Sequence, residues 1–344
     1  MKYLVALMIL FGSAAMPLAR AGDWVVYEGH EGPGRGKHIV FVSGDEEYRS
    51  EEALPMLARI LAVRQGFKCT VLFALNPADG TIDPNNQTNI VGLRALQTAD
   101  LLVLFTRFRE PPDDQMKYLV EYVNSGKPIL GIRTATHAFA FSHDKQSPYA
   151  KFDWQSRVWP GGFGRQVLGE TWVNHWGRHG IEATRGVIAT DAKDDPILRG
   201  VADIFGKTDV YEAYPPKDAK ILVWGQVLKG MNPSDPPADY RRRRSTDRQE
   251  QGINEPMMPI IWRRTYTGES GKTSRIVCTT IGAAVDLECE DLRRLLVNAC
   301  YWGLGMEDQI PAKADVDYVG AYHPTYFGFG KFKRGMRPSD FELK

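Results

Sequence analysis

In this 344-residue chain the side chains able to do chemistry gather at a few places. Residues 128–139 read PILGIRTATHAF, an apolar strand running into a sharp turn of small residues. Many α/β enzymes keep a nucleophile at such a turn, but here the position is held by Arg133. Arginine stays protonated at any usable pH, so it offers a fixed cation at the crest of a sheet. It can bind a carboxylate, an enolate-like oxygen or a sugar hydroxyl, or it can pair structurally with an acid such as Asp45 or Glu46. Thr134 and Thr136 become nucleophiles only beside a base. His137 closes the turn and can serve as base, metal ligand or oriented structural residue.

Further on, NHWGRHG sets His175 and His179 four apart, on one face of a strand or loop. Glu212 lies between tyrosines in DVYEAY, where an aromatic setting raises a carboxyl pKa and suits acid–base work; a solvated glutamate is the alternative. Asp45, His137, His175, His179 and Glu212 could together form a His/carboxylate site for zinc or manganese. No H-E-x-x-H or other closely spaced metal signature supports it. Trp154, Trp159, Trp172, Trp176, Phe163 and Tyr211 crowd the same stretch, as faces for sugar rings or as core.

These residues need a scaffold, and periodicity supplies one. Between residues 37 and 140, apolar runs (37–44, 67–75, 100–106, 127–132) alternate with amphipathic segments (50–66, 90–99, 112–126). That alternation predicts parallel strands covered on both faces, an open doubly wound, mostly parallel sheet. Ser50 opens the first helix and Gly66 follows its end. After residue 141 the texture is rich in Gly, Pro and Trp. Residues 165–187, 219–228, 258–266 and 274–282 look β-like, the last two as a hairpin across TGESGK, and 289–305 reads as a closing helix. In such sheets ligands bind at the carboxyl ends of the strands, so loops 43–47, 76–86, 106–109 and 133–137 converge on the site. The first loop carries three acids and no G-x-G-x-x-G, which excludes a dinucleotide site; Walker and G-x-S-x-G motifs are also missing.

Residues 1–21 have a basic Lys2, an apolar stretch over 3–11 and Ala19-Arg20-Ala21 as a cleavage site, the pattern of a secretory leader. The mature chain would begin at Gly22 and act in the periplasm or outside the cell. The formal charge of +1 becomes −1 without Lys2 and Arg20, which argues against nucleic acid as the main partner. No later stretch is apolar enough to span a membrane. Of the four cysteines, Cys289 and Cys300 flank a helical run and would lie about 16 Å apart, too far for a bridge. Cys69 and Cys278 fall in strands, and free buried thiols are expected throughout. The arginine-rich stretch 239–252 reads as a solvated loop, and the tail after residue 306 as an aromatic segment packed back on residues 22–306.

KHIVFVSGDEEYRSEEALPMLARIL, DLLVLFTRF, YVNSGKPILGIRTATHAF, HWGRHG, DPILRGV, TDVYEAY and TTIGAAVDLECEDLRRLLVNACYWGLG resemble, in that order, the ThuA-like (trehalose utilisation) family. The resemblance covers roughly residues 37–306. It implies a flavodoxin-like, class I glutamine amidotransferase-like fold whose nucleophile is lost, since Arg133 replaces the cysteine and the H-x-E pair is absent. It also implies catabolism of trehalose-like disaccharides through 3-keto-sugars made by a partner sugar dehydrogenase. Relatives often carry His at the position of Arg133. A 3-keto group acidifies the neighbouring C–H, so a base (His137 or His175) and a cation (Arg133 or a metal) would suffice for isomerisation or elimination. The alternatives are a non-catalytic carbohydrate-binding protein and a hydrolase using Thr134 or metal-bound water.

Overall fold

The computed structural model describes residues 22–343; the leader expected over residues 1–21 lies outside them. In chain order the first strands are β1 (Trp24–Tyr27), β2 (His38–Gly44), β3 (Lys68–Leu72), β4 (Leu101–Thr106) and β5 (Ile129–Ile132), with helix α1 (Ser50–Val63) after β2 and α2 (Asp113–Val123) after β4. The second half adds β6 (Asn174–His175), β7 (Thr184–Ile188), β8 (Ile204–Gly206), β9 (Tyr211–Glu212), β10 (Lys220–Val227), β11 (Arg241–Arg243), β12 (Glu250–Gly252), β13 (Met258–Thr267) and β14 (Thr273–Thr279), closed by α3 (Glu290–Gly303).

Ten of these strands form one sheet in the order β1-β3-β2-β4-β5-β14-β13-β10-β7-β8. The inner strands β3, β2, β4, β5 and β14 run parallel, and every other pairing in the sheet is antiparallel. The parallel order is therefore confined to the core, and the β-rich second half extends it with antiparallel strands. Period-2 alternation explains why the core strands are apolar throughout. Ile39 and Phe41 of β2 face a layer with Leu54, Leu57 and Leu61 of α1 and Leu292, Leu295 and Leu296 of α3. Val40 and Val42 face the opposite layer, with Met116, Leu119 and Val123 of α2. Each such aliphatic side chain contributes about 1.5–3 kcal/mol when fully buried.

Four local expectations differ from the structure. Ser50 does not cap α1: Arg49 holds the cap position in a left-handed conformation, and the Ser50 hydroxyl accepts from the Asp45 N–H at 3.0 Å and bonds Ser43 at 2.8 Å. Residues 164–168 form a helical turn rather than a strand, because Gly164 packs so closely on the Thr136 carbonyl that a Cβ would lie 1.8 Å from it. Residues 90–99 hold only a short 3-10 turn, Leu93–Gln97. The arginine-rich stretch is a hairpin, with Arg241, Arg242 and Arg243 of β11 opposite Gly252, Gln251 and Glu250 of β12.

The tail packs over α1, twelve of whose fourteen residues are buried. Thr325 donates from N and Oγ1 to Glu52, both at 2.7 Å, and the Phe341 carbonyl accepts from Arg59 at 2.7 Å and Tyr27 at 2.6 Å. All four cysteines are free thiols. Among the described residues, no helix is long and apolar enough to cross a membrane.

Candidate functional site

The site is built at the carboxyl ends of the parallel strands, where backbone strain collects. Arg49 (φ 61°), Phe108 (φ 52°) and Arg133 (φ 48°) all adopt the left-handed region that non-glycine residues avoid. They follow β2, β4 and β5 respectively, and such strain persists only where surrounding structure enforces it.

Arg133 is fully buried. Its Nη1 donates to the carbonyls of Asp209 (2.9 Å) and Thr280, and its Nη2 donates to Tyr48 Oη and Asp209 Oδ1, both at 3.2 Å. The guanidinium is clamped between the rings of Tyr211 (3.8 Å to centroid) and Tyr48 (4.5 Å). It does not reach solvent, so a direct contact with substrate, one of the expected roles, has no approach. Nor is its partner Asp45 or Glu46. Its acid is Asp209, at the start of the DVYEAY segment and not among the candidates expected from residue type.

Asp209 is the hub. It is buried, and besides Arg133 it accepts from His175 Nδ1 (2.8 Å, at Oδ2) and His179 Nδ1 (2.9 Å, at Oδ1). Burial alone would push its pKa up, but the hydrogen bonds from His175 and His179 and the Arg133 charge outweigh it and hold the carboxyl well below its usual range. His179 Nε2 also lies 3.2 Å from Glu47 Oε1. The hydrogen bonds to Asp209 and then Glu47 raise His179 to about 9, so it is an imidazolium at neutral pH. His175 differs: Nδ1 is anchored on Asp209, its side chain is 30 % exposed, and among the described residues Nε2 has no hydrogen-bond partner. The imidazole rings of His175 and His179 lie 4.4 Å apart.

His137 is 3 % exposed, with Nδ1 3.0 Å from Thr136 Oγ1. Burial first, then the charges of Arg107, Arg133 and His175, holds its pKa well below the ordinary value, so it is neutral. Phe108, Trp172, Tyr211 and Trp154 surround it at 5.0, 5.2, 6.4 and 6.5 Å between ring centroids. Trp172 also stands edge-on to His175 at 4.8 Å, so one half-buried indole links the two imidazoles.

Two other expected residues lie apart. Asp45 is buried and spent on its own loop, accepting from the N–H groups of Glu47 (2.7 Å) and Tyr48 (2.5 Å) and from Thr134 Oγ1. Thr134 is thereby occupied as well. Glu212 falls on the other side of the short β6–β9 ladder, where Asn174 pairs with Glu212 and His175 with Tyr211. Its Oε1 accepts from Tyr214 Oη (2.7 Å) and Ser245 N (2.8 Å).

The donor set for a cation is therefore not the expected one. His175, His179 and Asp209 offer ligand atoms within 4.8 Å of one another. His137 is not in that cluster, and neither Glu212 nor Asp45 turns toward it. The chemistry of the set favours protons over a dication. Arg133 already neutralises Asp209, and His179 would have to give up a proton held by two carboxylates.

Fold and site thus define an α/β protein with a mixed sheet, a parallel core and an imidazole–carboxylate cluster on a crest whose turn is opened by Arg133. No family model and no curated protein matches the sequence. Among solved structures, the chain is similar to a ThuA-like protein from Parabacteroides merdae, at 16% identity and TM-score 0.49 over 78% of this chain and 90% of that one. It is similar to a ThuA-like protein from Bacteroides uniformis at 14% identity and TM-score 0.44, over 79% and 92%. The glutaminase domain of CTPS from Trypanosoma brucei is similar at 8% identity and TM-score 0.34, over 83% and 100%. The chemistry must be read from this chain's own residues.

Proposed function

We propose that the protein is an acid–base enzyme of oxidised glycosides, removing the proton beside the keto group of a 3-keto-disaccharide and expelling the second sugar. The observation that carries this reading is the Asp209–His175 dyad. A buried carboxylate fixes the imidazole through Nδ1, leaving Nε2 as the general base, and positioned bases of this kind contribute about 10²–10⁴ in rate. In the elimination, Nε2 takes the C2 proton, the C–H electron pair forms the C1=C2 bond, and the glycosidic C1–O bond breaks. The leaving oxygen then takes a proton, giving an enone and a free sugar.

The other groups fit this chemistry. His179 supplies a fixed positive charge beside the negative charge that develops on the enolate. Neutral His137, buried behind Phe108 and Trp172, backs the aromatic wall of the site and adds no charge to it. Arg133 is a positioning residue: it holds Asp209 ionised and aligned. Trp172, Trp154 and Phe108, all half-buried, offer flat faces for the apolar side of a sugar ring. A 3-keto substrate would come from a partner sugar dehydrogenase, the setting that the resemblance to the ThuA-like family implies.

A second reading, a divalent-cation enzyme using His175, His179 and Asp209, rests on their 4.8 Å clustering. NMR of the protein with 3-ketotrehalose and with trehalose, with and without chelator, tests both. Turnover of the keto-sugar alone, unaffected by chelator, is expected. Loss of turnover on chelation favours the cation, and no turnover of either sugar sinks the enzymatic reading in favour of a binding protein.

A further inference from the structure

Residues 326–329 of the tail reach the same crest from a segment nearly 200 residues beyond His137. Gly328, at φ 131°, is pinned on the site loop: its N–H donates to the Glu47 carbonyl (2.7 Å) and its own carbonyl accepts from Arg49 (3.1 Å). The two flanking rings diverge. Phe327 is 4 % exposed and packs on Tyr48 at 5.6 Å and on the His179 imidazole at 5.3 Å. Phe329 is 60 % exposed, backed by the Arg107 guanidinium at 5.1 Å. That guanidinium also lies over Phe108 at 4.5 Å and pairs with Glu46 and Glu47.

An exposed phenylalanine face leaves apolar area in water, and this one is held in place by the pinned backbone of Gly328 beside it and by Arg107 on one face of the ring. Glu47, whose carbonyl holds Gly328, is also the acid that holds His179, so the tail and that imidazole are tied to one loop. Arg107 makes Phe108 and Phe329 two members of a single aromatic rim beginning at His137. From this placement we infer that Phe329 is the platform for the second sugar ring, the one that leaves, so that the site selects two-ring over one-ring ligands. This rests on the glycoside reading above.

The test titrates the tryptophan fluorescence of wild type and Phe329→Ala with a 3-keto-disaccharide and with a methyl 3-keto-glucoside, and measures turnover of the disaccharide. Wild type is expected to bind the disaccharide about 3- to 10-fold more tightly, the range of one aromatic contact. Phe329→Ala loses that preference, Phe329→Trp keeps it, and methyl-glucoside affinity is unchanged. Equal preference in wild type and Phe329→Ala, an equal loss for both ligands, or no binding of either overturns the inference. If the ring preference holds without turnover, the subsite stands and the elimination chemistry fails; if turnover stands without the preference, the reverse is true.

Discussion

Raising the pH from 6.5 to 9 should remove a defined part of the stability through one residue, His179. Its ordinary pKa of 6.5 rises to about 9 in the fold, because Asp209 and Glu47 both accept from it. A base whose pKa is raised on folding stabilises fully below its unfolded pKa, and that contribution is lost as pH climbs through the folded one. At 1.36 kcal/mol per pH unit the displacement corresponds to about 3 kcal/mol. The side chain is 33 % exposed, so solvent screening reduces the expected value to about 1–2 kcal/mol. Denaturant unfolding of wild type and His179→Asn across pH 6–9.5 isolates this contribution. Glu51, buried and raised to about 8, also loses stability as pH rises to 8, but it does so in both proteins and cancels in the difference. The wild-type advantage should shrink by about 1–2 kcal/mol between pH 6.5 and 9. Two parallel stability profiles over that window would refute the assignment of His179 as an imidazolium held by two carboxylates.

Other substitutions probe the parts around it. Arg133→Met leaves the buried Asp209 without its guanidinium and should cost about 3–5 kcal/mol in denaturant unfolding; Arg133→Lys should recover little, since an ammonium cannot span Asp209, Thr280 and Tyr48 together. Gly164→Ala places a Cβ 1.8 Å from the Thr136 carbonyl, and should cost about 1–3 kcal/mol while lowering kcat through the displaced His137 turn. Glu212→Gln should cost about 1–2 kcal/mol in stability and leave the pH–rate profile unchanged, because Glu212 faces away from His175.

The parallel core was legible because its strands are apolar runs of 4–7 residues and α1 and α2 are amphipathic runs of 14 and 11, each marked by local pattern alone. The antiparallel half was harder. Its β6 and β9 are two residues each, too short for any periodicity, and Gly164–Leu168 turns because of a backbone approach from residue 136. His175, His179 and the Arg133 turn could be singled out by residue type, but their roles depend on which acid reaches them. DVYEAY contains that acid: Asp209 and Tyr211 are two apart and share a face, while Glu212 between tyrosines points the other way. Strand alternation would have selected Asp209 once His175 was paired with Tyr211. Asp45 misleads for a related reason, since a short acid in a turn is as suited to binding its own backbone as to chemistry. Phe327 and Phe329 carry no local signal; their place is set by Gly328 between them, bonded to the Glu47 carbonyl and the Arg49 guanidinium some 280 residues away.

The most direct test of the account is solvent exchange. A 3-keto-disaccharide is incubated in D₂O with wild type and with His175→Asn, and the proton beside the keto group is followed by NMR. The account predicts that wild type removes the C2 proton signal and releases the second sugar, that His175→Asn slows both by about 10²–10⁴, and that the unoxidised disaccharide keeps all its carbon-bound protons. A C2 signal that persists while sugar is released, or equal rates in the two proteins, would contradict it.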